Sequence, residues 1–69
     1  MLTIELTRGP SWQEPVEAID RRECDTHSIE FAAAEALYWL VEIQKNIPAR
    51  GATHYRVVGQ NGAVIGGPP

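Results

Sequence analysis

Ile29-Glu30-Phe31-Ala32-Ala33-Ala34-Glu35-Ala36-Leu37-Tyr38-Trp39-Leu40-Val41-Glu42-Ile43-Gln44-Lys45-Asn46 is the stretch on which the fold turns. Its core from Phe31 to Leu37 is dense in Ala, Leu and Glu, side chains that lose little freedom in a helix. Asp25, Thr26 or Ser28 can each offer an oxygen to cap the first turn. Pro48 biases Ile47 away from helical dihedrals, and Gly51 follows soon after. These signals predict one helix over residues 29–46.

At about 100° per residue, Ile29, Ala33, Ala36, Leu37, Leu40 and Ile47 fall on one stripe with Val41 and Ile43 at its edges, the side expected to meet a sheet. Glu35, Glu42, Lys45 and Asn46 lie opposite. Phe31 and Tyr38 lie among those polar residues, however, and Trp39 sits on the flank beside Ala32 and Ile43. The helix is apolar nearly all round.

Upstream, Leu2, Ile4 and Leu6 alternate with Thr3, Glu5 and Thr7, the period of a strand with one face buried. Arg8-Gly9-Pro10-Ser11 stops it, because proline cannot donate to a ladder. Residues 11–24 admit two readings. Ser11 and Glu14 match a capping box, Trp12, Val16 and Ile19 share a helical face, and Glu17 with Arg21 makes an i,i+4 pair, all of which suit a short helix. The alternative, which Pro15 favours, is a polar edge strand over 16–24 that completes a hairpin with the first strand.

Downstream, residues 53–59 read as a strand, and Asn61-Gly62 is the signature of a type I′ hairpin turn, with a partner strand over 63–66. A two-residue loop sets Gln60 opposite Ala63, Gly59 opposite Val64 and Val58 opposite Ile65. Tyr55, Val57 and Val64 then share one face, and His54, Arg56, Val58 and Ile65 the other. The expected order is ββαββ, an α+β fold with a small antiparallel sheet and one long helix packed on one of its faces. It occupies residues 1–66 as one domain, and residues 67–69 form a tail.

A chain of 69 residues has room for one small core, since such chains bury only roughly 60% of their unfolded surface. A lone core of this size seldom supplies more than ~3–5 kcal/mol, so further support is expected from a disulfide, a metal, a partner or unusually good packing. Cys24 is the only cysteine, which excludes a disulfide within one chain. Met1-Leu2-Thr3-Ile4-Glu5 lacks the basic start and apolar run of a signal peptide, and the apolar runs around Glu35 fall short of the ~20 residues that span a bilayer. A cytosolic, non-membrane protein is the expectation. Nine acidic residues against six basic give a formal charge of −3, and no concentrated basic face is visible, so nucleic acid is not an expected partner. A single-strand binder using Trp12, Tyr55 and Arg56 would have to overcome that acidity.

Chemistry-bearing residues are few. Cys24, Asp25 and His27 precede the helix and His54 lies on a strand, but structural zinc sites carry two Cys/His pairs at set spacing and only one pair is present. No metal or cofactor is expected. The start of the helix could activate the Cys24 thiol, although no base or oxyanion partner accompanies it. No catalytic residue is assigned, and the chain is not expected to be an enzyme.

Gly66-Gly67 near the end of a ββαββ chain resembles the small ubiquitin-like sulfur-carrier proteins, whose C-terminal Gly-Gly carboxylate is activated by a partner enzyme. In that family the glycines end the chain; here Pro68 and Pro69 follow, and the segment after the helix is short for the family's remaining strands. Over most of its length, the alanine-rich helix followed by the Tyr55-Arg56-Val57-Val58 strand and the Asn61-Gly62 turn resembles small bacterial ββαββ proteins of uncharacterised function. That resemblance implies a compact domain and no particular activity.

The surplus of apolar side chains is what remains to be explained. A sheet covers one side of a helix, and contiguous apolar surface left over usually marks an interface. Phe31, Tyr38, Trp39 and Ile43 on the helix and Val58 and Ile65 on the sheet are the interface candidates. Self-association as a two-fold dimer is the leading expectation. The alternatives are that residues 8–24 fold back over the flank with Trp12 as cover, or that the chain is a carrier using the C-terminal Gly-Gly or a helix–sheet pocket.

Overall fold

In the computed structural model, which describes residues 1–67, the chain runs β1 (Leu2–Arg8), β2 (Glu17–Cys24), α1 (Ile29–Asn46), a 3-10 turn (Pro48–Arg50), β3 (His54–Val58) and β4 (Val64–Gly66). The ββαββ α+β fold is as the sequence predicts. Of the expected tail, Pro68 and Pro69 lie outside the described residues.

The strands pair in the order β2-β1-β3-β4, and every pairing is antiparallel. β2 and β3 therefore run in the same direction on either side of β1, so α1 and the 3-10 turn carry the chain across it. The strand reading of residues 16–24 holds. Ser11 and Glu14 still meet as a capping box would require, with the Glu14 amide donating to Ser11 Oγ at 3.2 Å, but in a bend that no helix follows.

The helix keeps its expected bounds because its ends are chemically closed. Ser28 is the N-cap, its Oγ accepting from the Phe31 amide at 3.2 Å, and the Ile47 amide donates to the Ile43 carbonyl at the other end. Its buried face differs from expectation. Ala32, Ala36, Trp39 and Leu40 are buried, with Ala33 and Ile43 half-buried, whereas Ile29, Leu37, Val41 and Ile47 are exposed. The stripe is rotated by about 60° on the helical wheel. Two alanines let the backbone sit close on the sheet, and this rotation gives the largest side chain, Trp39, the most buried area.

Ile4, Leu6 and Tyr55 of the sheet meet Ala36, Trp39 and Leu40 of the helix, and Leu2 and Val57 meet Ala32. The Arg22 guanidinium closes the exposed side of Trp39, 4.3 Å from the ring centroid. β1 is not the half-buried strand its alternation implies. Glu5 and Thr7 are buried as well, because β1 has a paired strand on each side and their side chains lie across it.

β2 carries a bulge opposite Leu6 and Thr7, which pair with Asp20 and Ala18, so Ile19 is the extra residue. A bulge leaves backbone groups unpaired. Arg50 answers this one, donating from Nη2 to the Ile19 carbonyl at 2.7 Å with Asp20 Oδ2 at 3.8 Å.

The last hairpin departs from the predicted register. Only Gly62 has positive φ, at 85°, and the Gly62 amide donates to the Gly59 carbonyl, while Asn61 Oδ1 accepts from the Ala63 amide. This is a turn followed by a left-handed glycine and a bulge, so Val58 pairs with Val64 instead of Ile65 and Val57 with Gly66. Asn61 uses its side chain as an acceptor instead of taking the second positive φ that a type I′ turn requires.

Candidate functional site

The candidate site is the face of α1 turned away from the sheet. Phe31, Ala34, Tyr38 and Val41 follow one another at spacings of three, four and three residues, and Leu37 lies beside them on the same exposed side. Tyr38 is 69% exposed and Phe31 53%, and Leu37 and Val41 are each about half exposed. Phe31, Ala34, Tyr38 and Val41 lie roughly opposite Ala32, Ala36 and Leu40, which fill the contact with β1 and β3, and Leu37 lies on the flank between. Glu30, Glu35 and Glu42 border this face, and Lys45 stands at its C-terminal end.

Of the six interface candidates, Phe31 and Tyr38 lie together on this face, and Ile65 is exposed on β4, the edge strand. Trp39 and Val58 need correction. Trp39, 8% exposed, is enclosed by the sheet and Arg22, and Val58 is buried in β3 between β1 and β4. Ile43 is half-buried and packs against the core. Ala34, Leu37 and Val41 were missed. Leu37 and Val41 were assigned to the sheet-facing stripe, and the three-four spacing from Phe31 through Val41 is the signal that finds them.

The other side of the sheet has a different chemistry. Glu5, Arg21 and Arg56 are cross-strand neighbours, with Glu5 in the middle. Arg21 Nη2 donates to Glu5 Oε2 at 2.8 Å and Arg56 Nε donates to Oε1 at 2.6 Å, while Arg56 Nη2 also bonds Oε1. Glu5 is 1% exposed. Burial alone would raise its pKa, but the hydrogen bonds and charges of Arg21 and Arg56 outweigh that and hold the carboxyl below its ordinary value. The row carries one more positive charge than negative, and its single carboxylate accepts from both guanidinium groups. Beside it, the buried Thr7 hydroxyl has no hydrogen-bond partner among the described residues.

The remaining candidates are scattered. Cys24 pairs with Leu2 at one end of β1, and His54 pairs with Thr7 at the other, where its Nδ1 lies 2.9 Å from Thr53 Oγ1. Among the described residues, no three His, Cys, Asp or Glu side chains converge as metal ligands would, and no helix is long and apolar enough to cross a membrane. Trp12 is half-buried and lies against Gly67, where an added Cβ would clash with its ring. Gly66 backs onto the Ile29 side chain.

No family model matches the chain, and no curated protein or solved structure is significantly similar to it.

Proposed function

We propose that this chain is a small interaction module that self-associates through the outward face of α1. One observation supports the reading: Phe31, Leu37, Tyr38 and Val41 are large, apolar and exposed together on the side of the helix that the sheet leaves uncovered. With an aromatic side chain carrying roughly 200 Å², Phe31 and Tyr38 alone offer on the order of 250 Å². Leu37 and Val41 bring the face to on the order of 400 Å² per copy, so a two-fold contact would bury about 800 Å², below the roughly 1,200 Å² of stable specific interfaces and in the range of weak, transient ones.

At ~25 cal/mol per Å² such burial is large beside the marginal stability of a chain this short, although association costs consume much of it. The dimer is therefore reversible, with a dissociation constant on the order of micromolar. Sedimentation velocity from low to high micromolar concentration is the test. A rise from monomer to dimer mass is expected, and Tyr38→Glu should hold the protein at monomer mass with an unchanged fold. A strict monomer at high micromolar concentration removes the reading.

A further inference from the structure

Resting on the self-association reading above, we propose that the occupant of the outward α1 face is a second copy lying antiparallel, with its two-fold axis passing between the helices at the level of residue 36. The spacing of Phe31, Ala34, Tyr38 and Val41 is that of alternating a and d positions in a short helix–helix seam, where an antiparallel partner places each a residue against a d residue. Phe31 of one copy then meets Val41 of the other, and Ala34 meets Tyr38. Each layer pairs a large side chain with a smaller one, so the surfaces interlock. A parallel partner in register would stack Tyr38 on Tyr38 and Phe31 on Phe31 and leave a gap at Ala34 against Ala34.

The charges favour the same direction. In a parallel pair, Glu30 of each copy would face Glu35 of the other, two like-charge contacts bordering the seam. In the antiparallel pair Glu30 faces Gln44, Glu42 faces Ser28, and only Glu35 meets its own copy. Opposite that glutamate pair, across the seam, Leu37 meets Leu37 and extends the apolar contact over the axis. Lys45, the cation at the C-terminal end of the face, comes level with the second copy's N-terminal turn, where Glu30 lies. Neither Trp39 nor the Arg22 that covers it is disturbed.

The seam is tested by cross-linking in a Cys24→Ala background, which leaves no native thiol. Mixed Phe31→Cys and Val41→Cys chains are expected to give a covalent dimer with a short bismaleimide, at least about tenfold more of it than Phe31→Cys alone. A two-fold at residue 36 sets Phe31 level with Val41 and roughly 15 Å along the axis from its own copy. A mixture of Ala34→Cys and Tyr38→Cys chains should give the mixed dimer. Efficient Phe31→Cys self-linking without the mixed Phe31–Val41 link would overturn the antiparallel seam and leave self-association standing. A dimer mass with no linking at any of these positions would move the contact off α1. Both conclusions require circular dichroism showing the folded state of each variant, which the exposure of Phe31, Ala34, Tyr38 and Val41 permits.

Discussion

On the outer face of the sheet, Glu5 is enclosed by Arg21 and Arg56, and its buried carboxylate is satisfied within the same chain. On the outer face of the helix, Phe31, Leu37, Tyr38 and Val41 stand exposed, with nothing among the described residues over them. Both faces point away from the one hydrophobic core. The difference lies in how each kind of surface is completed: ionic groups are satisfied by a few well-placed neighbours, whereas apolar area is removed from water only by an equal area of something else. A chain with one helix and one sheet can complete the first and not the second.

The sharpest break of that comparison sets the two faces of α1 against each other. Trp39→Ala should cost about 3–5 kcal/mol, enough to unfold a domain this small, because it opens a cavity between helix and sheet. Tyr38→Ala, one residue away, should change monomer stability by less than about 0.5 kcal/mol while weakening association. Urea denaturation at low micromolar concentration measures both.

Next in size is the ionic face. Glu5→Gln should cost about 2 kcal/mol, discounted from the loss of a fully buried pair because Arg21 is largely exposed. The sign of the pH effect follows from the lowered Glu5 pKa: the unfolded chain takes up the proton first. Its contribution is thus present above the ordinary glutamate pKa and is lost as pH falls through that value towards the folded one. Denaturation midpoints measured at decreasing pH should fall less steeply for Glu5→Gln than for the native chain.

Thr7→Val should act in the opposite direction, raising stability by about 1 kcal/mol, since it removes a buried hydroxyl without a partner and keeps the shape. A loss of stability in thermal denaturation would show that this hydroxyl is satisfied in solution. The smallest effect is expected at Gly67→Ala. The added methyl would displace the Trp12 ring, shifting the Trp12 indole N–H resonance while the Trp39 resonance stays in place and global stability changes by less than about 0.5 kcal/mol.

Element types and most bounds were legible in the sequence, because caps, breakers and alternation are local signals. The helix over 29–46 is closed by Ser28 and Pro48, both visible in the chain itself. Which side of that helix faces the sheet was not legible, since apolar residues surround it. The choice depended on how closely Ala32 and Ala36 allow it to approach and on where Trp39 finds room, neither of which periodicity reports. The hairpin register slipped by one for a related reason: Asn-Gly suits two loop geometries, and the Asn61 side-chain bond to Ala63 selects the longer one. The Glu5 row was hidden because its three members are brought level only when β1 is known to lie between β2 and β3. Of the outward face, Phe31 and Tyr38 were legible as surplus, and Leu37 and Val41 were not.

β1 is one of the two inner strands of the sheet, with one neighbour from the adjoining hairpin and the other from beyond the helix. Residues 2–8 are therefore the keel of the molecule. The hairpin partner can dock early, but the far ladder cannot close until residues up to Val58 have been synthesised and the helix has crossed over. Deleting residues 2–8 would sever both ladders at once and strand the two edges apart. The β3–β4 ladder alone does not pass through β1, and the edge strand β2 depends on residues 2–8 for every backbone pairing it makes in the sheet.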